Sequence, residues 1–175
     1  MTKLETPPKT ERSTREVVDG RLVHKVRREN VLLASVERAA SGADSYVARM
    51  HVDPEHPFFF EHPLDHVPSM MLIEGGRQVG IAVSQMFMDV PFETAFAPTE
   101  ITARFVAYAE LGPPIDIECT AHDKVFQRRR LARVRLEGRF IQRGRVFGEM
   151  SGVWVMVPLK VYRRLRSAAQ ANPAS

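Results

Sequence analysis

A single stretch of helical periodicity, set in a chain otherwise patterned for strands, limits this fold more than any other feature. From Ser69 to Phe87 (SMMLIEGGRQVGIAVSQMF) the apolar residues Leu72, Ile73, Val79, Val83, Met86 and Phe87 recur at helical spacing. Glu74, Arg77, Gln78, Ser84 and Gln85 gather on the opposite stripe. Ser69, directly after Pro68, suits an N-cap. Gly75, Gly76 and Gly80 each cost roughly 1 kcal/mol of helix propensity against Ala. Such glycines are tolerated where another backbone must come close, so the stretch predicts one long helix pressed against a neighbour.

The neighbour is legible as a sheet. Ile101, Ala103, Phe105, Ala107 and Ala109 alternate with polar residues, and the turn Gly112-Pro113-Pro114 follows. Ile115, Ile117 and Cys119 then alternate with Asp116, Glu118 and Thr120. Val134, Leu136 and Phe140 face in while Arg133, Arg135, Glu137 and Arg139 face out. Gln142 to Arg145 predicts a hairpin turn, and the nearly all-apolar run Val146 to Val157 predicts a strand buried on both faces and stopped by Pro158. Two more strands, Val31 to Ala39 and Ser45 to Val52, flank the turn Ser41 to Asp44. The short connections make the sheet mostly antiparallel, which gives an α+β class with about six strands around one long central helix.

One domain accounts for 175 residues. We divide the chain into an unstructured arm over 1–20, a single domain over 21–168 and a loose tail over 169–175. One cysteine rules out an internal disulfide and suits a reducing compartment. There is no secretory signal pattern and no apolar run long enough for a membrane span, so the expected location is the cytoplasm, with no membrane partner. The net charge of +4 favours an acidic partner without naming it.

The segment HPFFFEHPLDHVPSMMLIEGGRQ, His56 to Gln78, resembles the signature of the A-factor biosynthesis hotdog family. Leu22 to Lys25 (LVHK) is similar to that family's opening strand, and Lys160 to Arg166 (KVYRRLR) to the basic segment closing its first repeat. The resemblance implies a hotdog fold and transfer of a β-ketoacyl group from acyl carrier protein to dihydroxyacetone phosphate, on the way to γ-butyrolactone autoregulators. Family members usually carry two such units, whereas this chain has room for one, which implies a homodimer. Ser69 and Gly75 stand where a glycine and an alanine are usual.

Glu74 is the first candidate catalytic residue. A carboxylate in an apolar, glycine-rich helix is costly to bury without a partner or a task, and burial would raise its pKa toward that of a general base. The bland alternative is an ion pair with Arg77 or a contact with Gln78 on an exposed face. Arg77 and Gln78 are candidate substrate-binding residues, the arginine offering a planar fork for the acceptor's phosphate. His56 best matches the histidine that partners the helix carboxylate in related hotdog dehydratases. Asp65 and His66, in the DHVP piece, are expected beside the substrate and can fix the loop by hydrogen bonds. Ser69 and Met70 open the helix, where free N–H groups suit a thioester oxygen gaining negative charge. The loop histidines His56, His62 and His66 have no metal-site spacing, so neither a metal nor a cofactor is expected. Eight arginines between Arg128 and Arg145, with Glu137 against them, suit either a solvated strand face or a dock for an acidic carrier protein. No nucleic-acid motif accompanies them. Dehydratase or thioesterase chemistry, or non-catalytic acyl binding, are the competing functions on the same fold.

Overall fold

The computed structural model describes residues 16–171. Of the expected arm over 1–20 and tail over 169–175, residues 1–15 and 172–175 lie outside the described residues, and Val17 and Val18 pack against the core. The Val18 N–H donates to the Leu33 carbonyl at 3.0 Å. Strands β1 (Leu33–Arg38) and β2 (Ser45–Met50) are followed by helix α1 (Ser69–Phe87). Strands β3 (Thr94–Phe105), β4 (Ile115–Gln127), β5 (Arg130–Gln142) and β6 (Arg145–Pro158) come next, and helix α2 (Leu159–Ala171) closes the described chain. The six strands form one antiparallel sheet in the order β1-β2-β4-β5-β6-β3. This is the hotdog arrangement, with α1 cradled by the sheet and the chain carried from β2 across to the far edge.

Alternation places the inner face. Ile115, Ile117, Cys119 and Ala121 of β4 are buried with Leu131, Val134, Leu136 and Phe140 of β5. Register sets large residues beside small ones: Cys119 lies opposite Gly138, Leu136 opposite Gly152 and Phe140 opposite Gly148. The sheet can therefore admit a helix closely. A Cβ on Gly76 would lie 2.5 Å from the Met150 sulfur, and one on Gly80 would lie 3.0 Å from Leu136 Cδ1 and 3.3 Å from the Trp154 ring. Gly76 and Gly80 thus let α1 seat closely on β5 and β6. Because α1 is enclosed on most sides, its polar stripe is not an open surface: Gln78 and Ser84 are fully buried.

Three local expectations need correction. LVHK is not a strand; Gly20–Val23 is a 3₁₀ turn, capped by Asp19, whose side chain accepts from the Arg21 N–H at 2.9 Å. A side chain on Gly20 would collide with the Lys25 carbonyl, so glycine permits the tight return that brings Lys25 back over the turn. Second, β3 begins at Thr94 and ends at Phe105, so Ala107 and Ala109 lie beyond it. Pro98 is accommodated by an irregularity between Pro98 and Glu100 on this edge strand, where a missing N–H is tolerated. Third, Ser69 does not cap α1; Pro68 does, its carbonyl accepting from the N–H groups of Met71 and Leu72 at 3.0 and 3.2 Å. The basic segment after Pro158 is a second helix, largely exposed, anchored where the Leu159 N–H donates to the Glu93 carbonyl at 2.9 Å. Among the described residues no helix is long and apolar enough to cross a membrane.

Candidate functional site

Glu74 lies one and a half turns into α1, on the side facing the Gly20 turn rather than the sheet. Its side chain is 21% exposed and its carboxylate takes four donor contacts. Arg77 approaches with its fork, Nε at 2.6 Å from Oε2 and Nη2 at 2.7 Å from Oε1. Lys25 Nζ stands 2.8 Å from Oε1, and Gln78 Nε2 donates to the same oxygen at 3.0 Å. Burial works to raise the Glu74 pKa, but the hydrogen bonds from Arg77, Lys25 and Gln78 outweigh it and hold the carboxyl at about 2. The expected rise toward general-base strength is therefore reversed in this state: the carboxylate is a clamped anion.

Gln78 fastens this group to the rest of the fold. Its Oε1 accepts from the Leu32 N–H at 2.9 Å and its Nε2 also donates to the Asn30 carbonyl at 2.8 Å. Asn30 in turn meets His56, with Nε2 of the ring 3.2 Å from Asn30 Oδ1. The other ring nitrogen, Nδ1, accepts from the N–H groups of Phe58 and Phe59 at 3.2 and 3.4 Å. With Nδ1 accepting, Nε2 is the ring's donor toward Asn30 Oδ1. At 2% exposure, His56 reaches Glu74 only by way of Asn30 and Gln78.

The remaining predicted residues form no hydrogen bond or ion pair with Glu74. His66 Nδ1 pairs with Asp65 Oδ1 at 2.7 Å, and its ring lies 4.7 Å from that of Tyr108. The hydrogen bond from His66 lowers the Asp65 pKa. A short bridge between His66 and Glu110, with the Val67 N–H donating to Ala109 at 2.8 Å, sews the DHVP loop to the chain after β3. Ser69 and Met70 are exposed at the helix start, and their N–H groups are the ones too early in α1 for an intrahelical acceptor. His62 is exposed, and among the described residues no three or more His, Cys, Asp or Glu side chains gather as a metal set.

Lys25, Asn30 and His24 were not among the predicted site residues. His24, in the left-handed conformation (φ 55°) at the end of the Gly20 turn, lies within 3.1 Å of Gln85 Nε2 and edge-on to Phe96. Burial and the charge of Arg77 lower its pKa. Only the LVHK motif pointed toward this corner, and it gave a strand instead of the turn that aims Lys25 at the helix. The buried Cys119 thiol is pushed up to about 12 by burial, which removes it from nucleophilic chemistry.

The family model of the A-factor biosynthesis hotdog domain matches residues 7–158. This chain belongs to that family. Its curated relatives include proteins named 2-oxo-3-(phosphooxy)propyl 3-oxoalkanoate synthase: one from Streptomyces virginiae, 35% identical over 51% of this chain, and one from Streptomyces coelicolor, 36% identical over 55%. Each match spans only 26% of the relative's own length. Solved structures share the fold at low identity. A thioesterase superfamily member of Thermus thermophilus has a TM-score of 0.55 at 17% identity, covering 73% of this chain and 93% of that one. A hot-dog-like protein of Thermanaerovibrio acidaminovorans also has a TM-score of 0.55, at 14% identity, with 71% and 88% covered.

The arginine-rich hairpin of this hotdog domain is less uniformly basic than the sequence suggested. Antiparallel register sets acidic residues of β4 across from it, so Arg139 pairs with Glu118, while Arg135 pairs with Asp123 and Glu137. Arg128, Arg129 and Arg130, at the β4–β5 turn, enter none of the ion pairs among the described residues. Arg128 and Arg129 both adopt positive φ, as a two-residue hairpin turn requires.

Proposed function

We propose that this chain transfers a β-ketoacyl group from the thioester of acyl carrier protein to the hydroxyl of a phosphorylated acceptor of the dihydroxyacetone phosphate type. The observation that carries this reading is the Glu74 group: two cations, Lys25 and Arg77, share one carboxylate at a partly open position on α1. One unit of positive charge is left over, which suits an acceptor carrying its own phosphate better than the neutral water that accepts the acyl group in thioester hydrolysis. In the step itself, the acceptor hydroxyl passes its proton to Glu74 as its oxygen attacks the thioester carbonyl. The tetrahedral oxyanion is met by the Ser69 and Met70 N–H groups, the C–S bond breaks, and the departing thiolate takes the proton from Glu74. Ester and free carrier thiol are the products.

His56 acts in this reading as a positioning residue through Asn30 and Gln78, since both its ring nitrogens are engaged away from Glu74. Carrier protein docks at the unpaired arginines of the β4–β5 turn and the basic residues of α2, drawn by charge. The unpaired outer edge of β3 supports pairing with a second copy, giving a homodimer. Light scattering at micromolar concentration should give twice the chain mass; a monomer with full activity would contradict it.

The deciding experiment incubates the protein with β-ketoacyl carrier protein, with and without dihydroxyacetone phosphate, and identifies products by mass. A phosphorylated ester formed only with acceptor supports the reading. Free β-keto acid regardless of acceptor would make the protein a thioesterase; in a parallel incubation with β-hydroxyacyl carrier protein, loss of water would make it a dehydratase.

A further inference from the structure

We propose that Lys25 and Arg77 together form the seat for the acceptor's phosphate, and that a phosphate monoester settling there takes both cations from Glu74, so that the carboxylate becomes a base only when acceptor is present. The inference rests on the acyl-transfer reading and adds to it a residue, Lys25, and a control on when the base is available.

The geometry supports an exchange rather than a permanent ion pair. Both cations keep part of their side chains in solvent, 25% for Lys25 and 27% for Arg77, so an incoming anion can reach them without unfolding the helix. Lys25 arrives from outside α1, on the return of the Gly20 turn, and its flexible stem can follow a ligand. A phosphate monoester offers more charge and more acceptor oxygens than a carboxylate, and the arginine fork matches it bidentately. Glu74, by contrast, has one contact that does not leave with the cations. Gln78 donates to it and is itself tied to Leu32 and Asn30, so this contact remains when the other two leave. What then surrounds Glu74 is burial and one neutral amide, and burial favours the protonated acid.

The arrangement has a chemical purpose. With the cations on Glu74, the carboxylate is too weak a base to activate water, which spares the thioester from hydrolysis while no acceptor is bound. Once phosphate holds the cations, the proton of the acceptor hydroxyl has a base beside it.

Calorimetric titration of the whole chain with inorganic phosphate near neutral pH tests the seat without turnover. Lys25→Met should weaken binding about tenfold, the loss of one charge-assisted contact, and Lys25→Arg should restore it. Glu74→Gln should tighten binding by a similar factor of about ten, because the competing carboxylate is gone. A purely structural ion pair would not produce that gain. Thermal melts confirm folding, and Lys25→Gln serves if Lys25→Met does not fold. Phosphate binding unchanged in Lys25→Met and Lys25→Gln, or not tightened in Glu74→Gln, would overturn the proposal. The expected binding pattern without acyl transfer would leave the seat standing and remove the acyl-transfer reading; transfer indifferent to Lys25 would do the opposite.

Discussion

Glu74 on α1 and Glu118 on β4 each meet an arginine, yet their surroundings give the two pairs different weight. Glu118 and Arg139 stand on the outer face of the sheet, 42% and 59% exposed, where water and salt screen the pair. Glu74 is half as exposed as Glu118 and receives the arginine fork, a lysine and an amide together. Fewer waters compete for a partly buried carboxylate than for an exposed one, so the same residue pair carries more weight at Glu74 than at Glu118. Charge in this protein matters by depth and donor number, not by sequence abundance, since the arginine-rich strand holds the weaker pairs.

The largest test of that contrast is the pH dependence of stability. The Glu74 pKa is depressed on folding, from an ordinary 4.5 to about 2. Its contribution is therefore present above the unfolded value and is lost as pH falls from about 5 toward 2. A shift of this size is worth about 3 kcal/mol, so Glu74→Gln should lose roughly that much stability at pH 7 and almost none relative to wild type near pH 2. Urea midpoints across that range measure it. A difference independent of pH would mean the cations do not hold the carboxylate as the structure shows.

Gln78→Leu comes next. It keeps the volume but orphans the buried Leu32 N–H and the Asn30 carbonyl, at about 2 kcal/mol. Unlike the Glu74 effect, most of this loss should persist at low pH, and denaturant midpoints at both pH extremes would separate the two. On the outer face, Glu118→Gln should cost less than about 1 kcal/mol and nothing measurable in high salt. A larger, salt-resistant loss would erase the contrast. Smallest of all, replacing Arg128, Arg129 and Arg130 with Ser should leave the melting temperature almost unchanged while slowing carrier-protein association and flattening its salt dependence, as stopped-flow measurements at two salt concentrations would show.

Much of the fold was legible because two periods coexist without ambiguity. The alternation of Ile115, Ile117 and Cys119, and of Val134, Leu136 and Phe140, marks inner-facing strands whatever their partners, and Arg143-Gly144 marks a turn by its backbone needs. Strand edges were less legible: Ala109 continues the alternation of β3 but belongs to the loop that holds Val67, because alternation does not record where pairing stops. The site was half legible. Glu74, Arg77 and Gln78 lie at spacings of three and four on one helix, which places them together by geometry alone. Lys25 and Asn30 lie some 50 residues away along the chain, and no local pattern can reveal a partner that arrives through a turn.

The sequence by itself determined the helix, the sheet and the side of the helix on which polar groups collect, because those follow from local periodicity and from the size of glycine. It also carried the family, through DHVP and EGGRQ. Only the tertiary structure decided the state of Glu74. Burial alone would have made it a stronger base; the sequence offers Arg77 and Gln78 as partners on the same helix, but neither Lys25 nor the depth at which all of them meet. The Gly20 turn brings Lys25 against the carboxylate, and Asn30, held by His56, locks Gln78 beneath it. Whether a buried acid is neutral or a clamped anion depends on which donors stand within about 3 Å, and that distance is set by how remote segments fold onto one another.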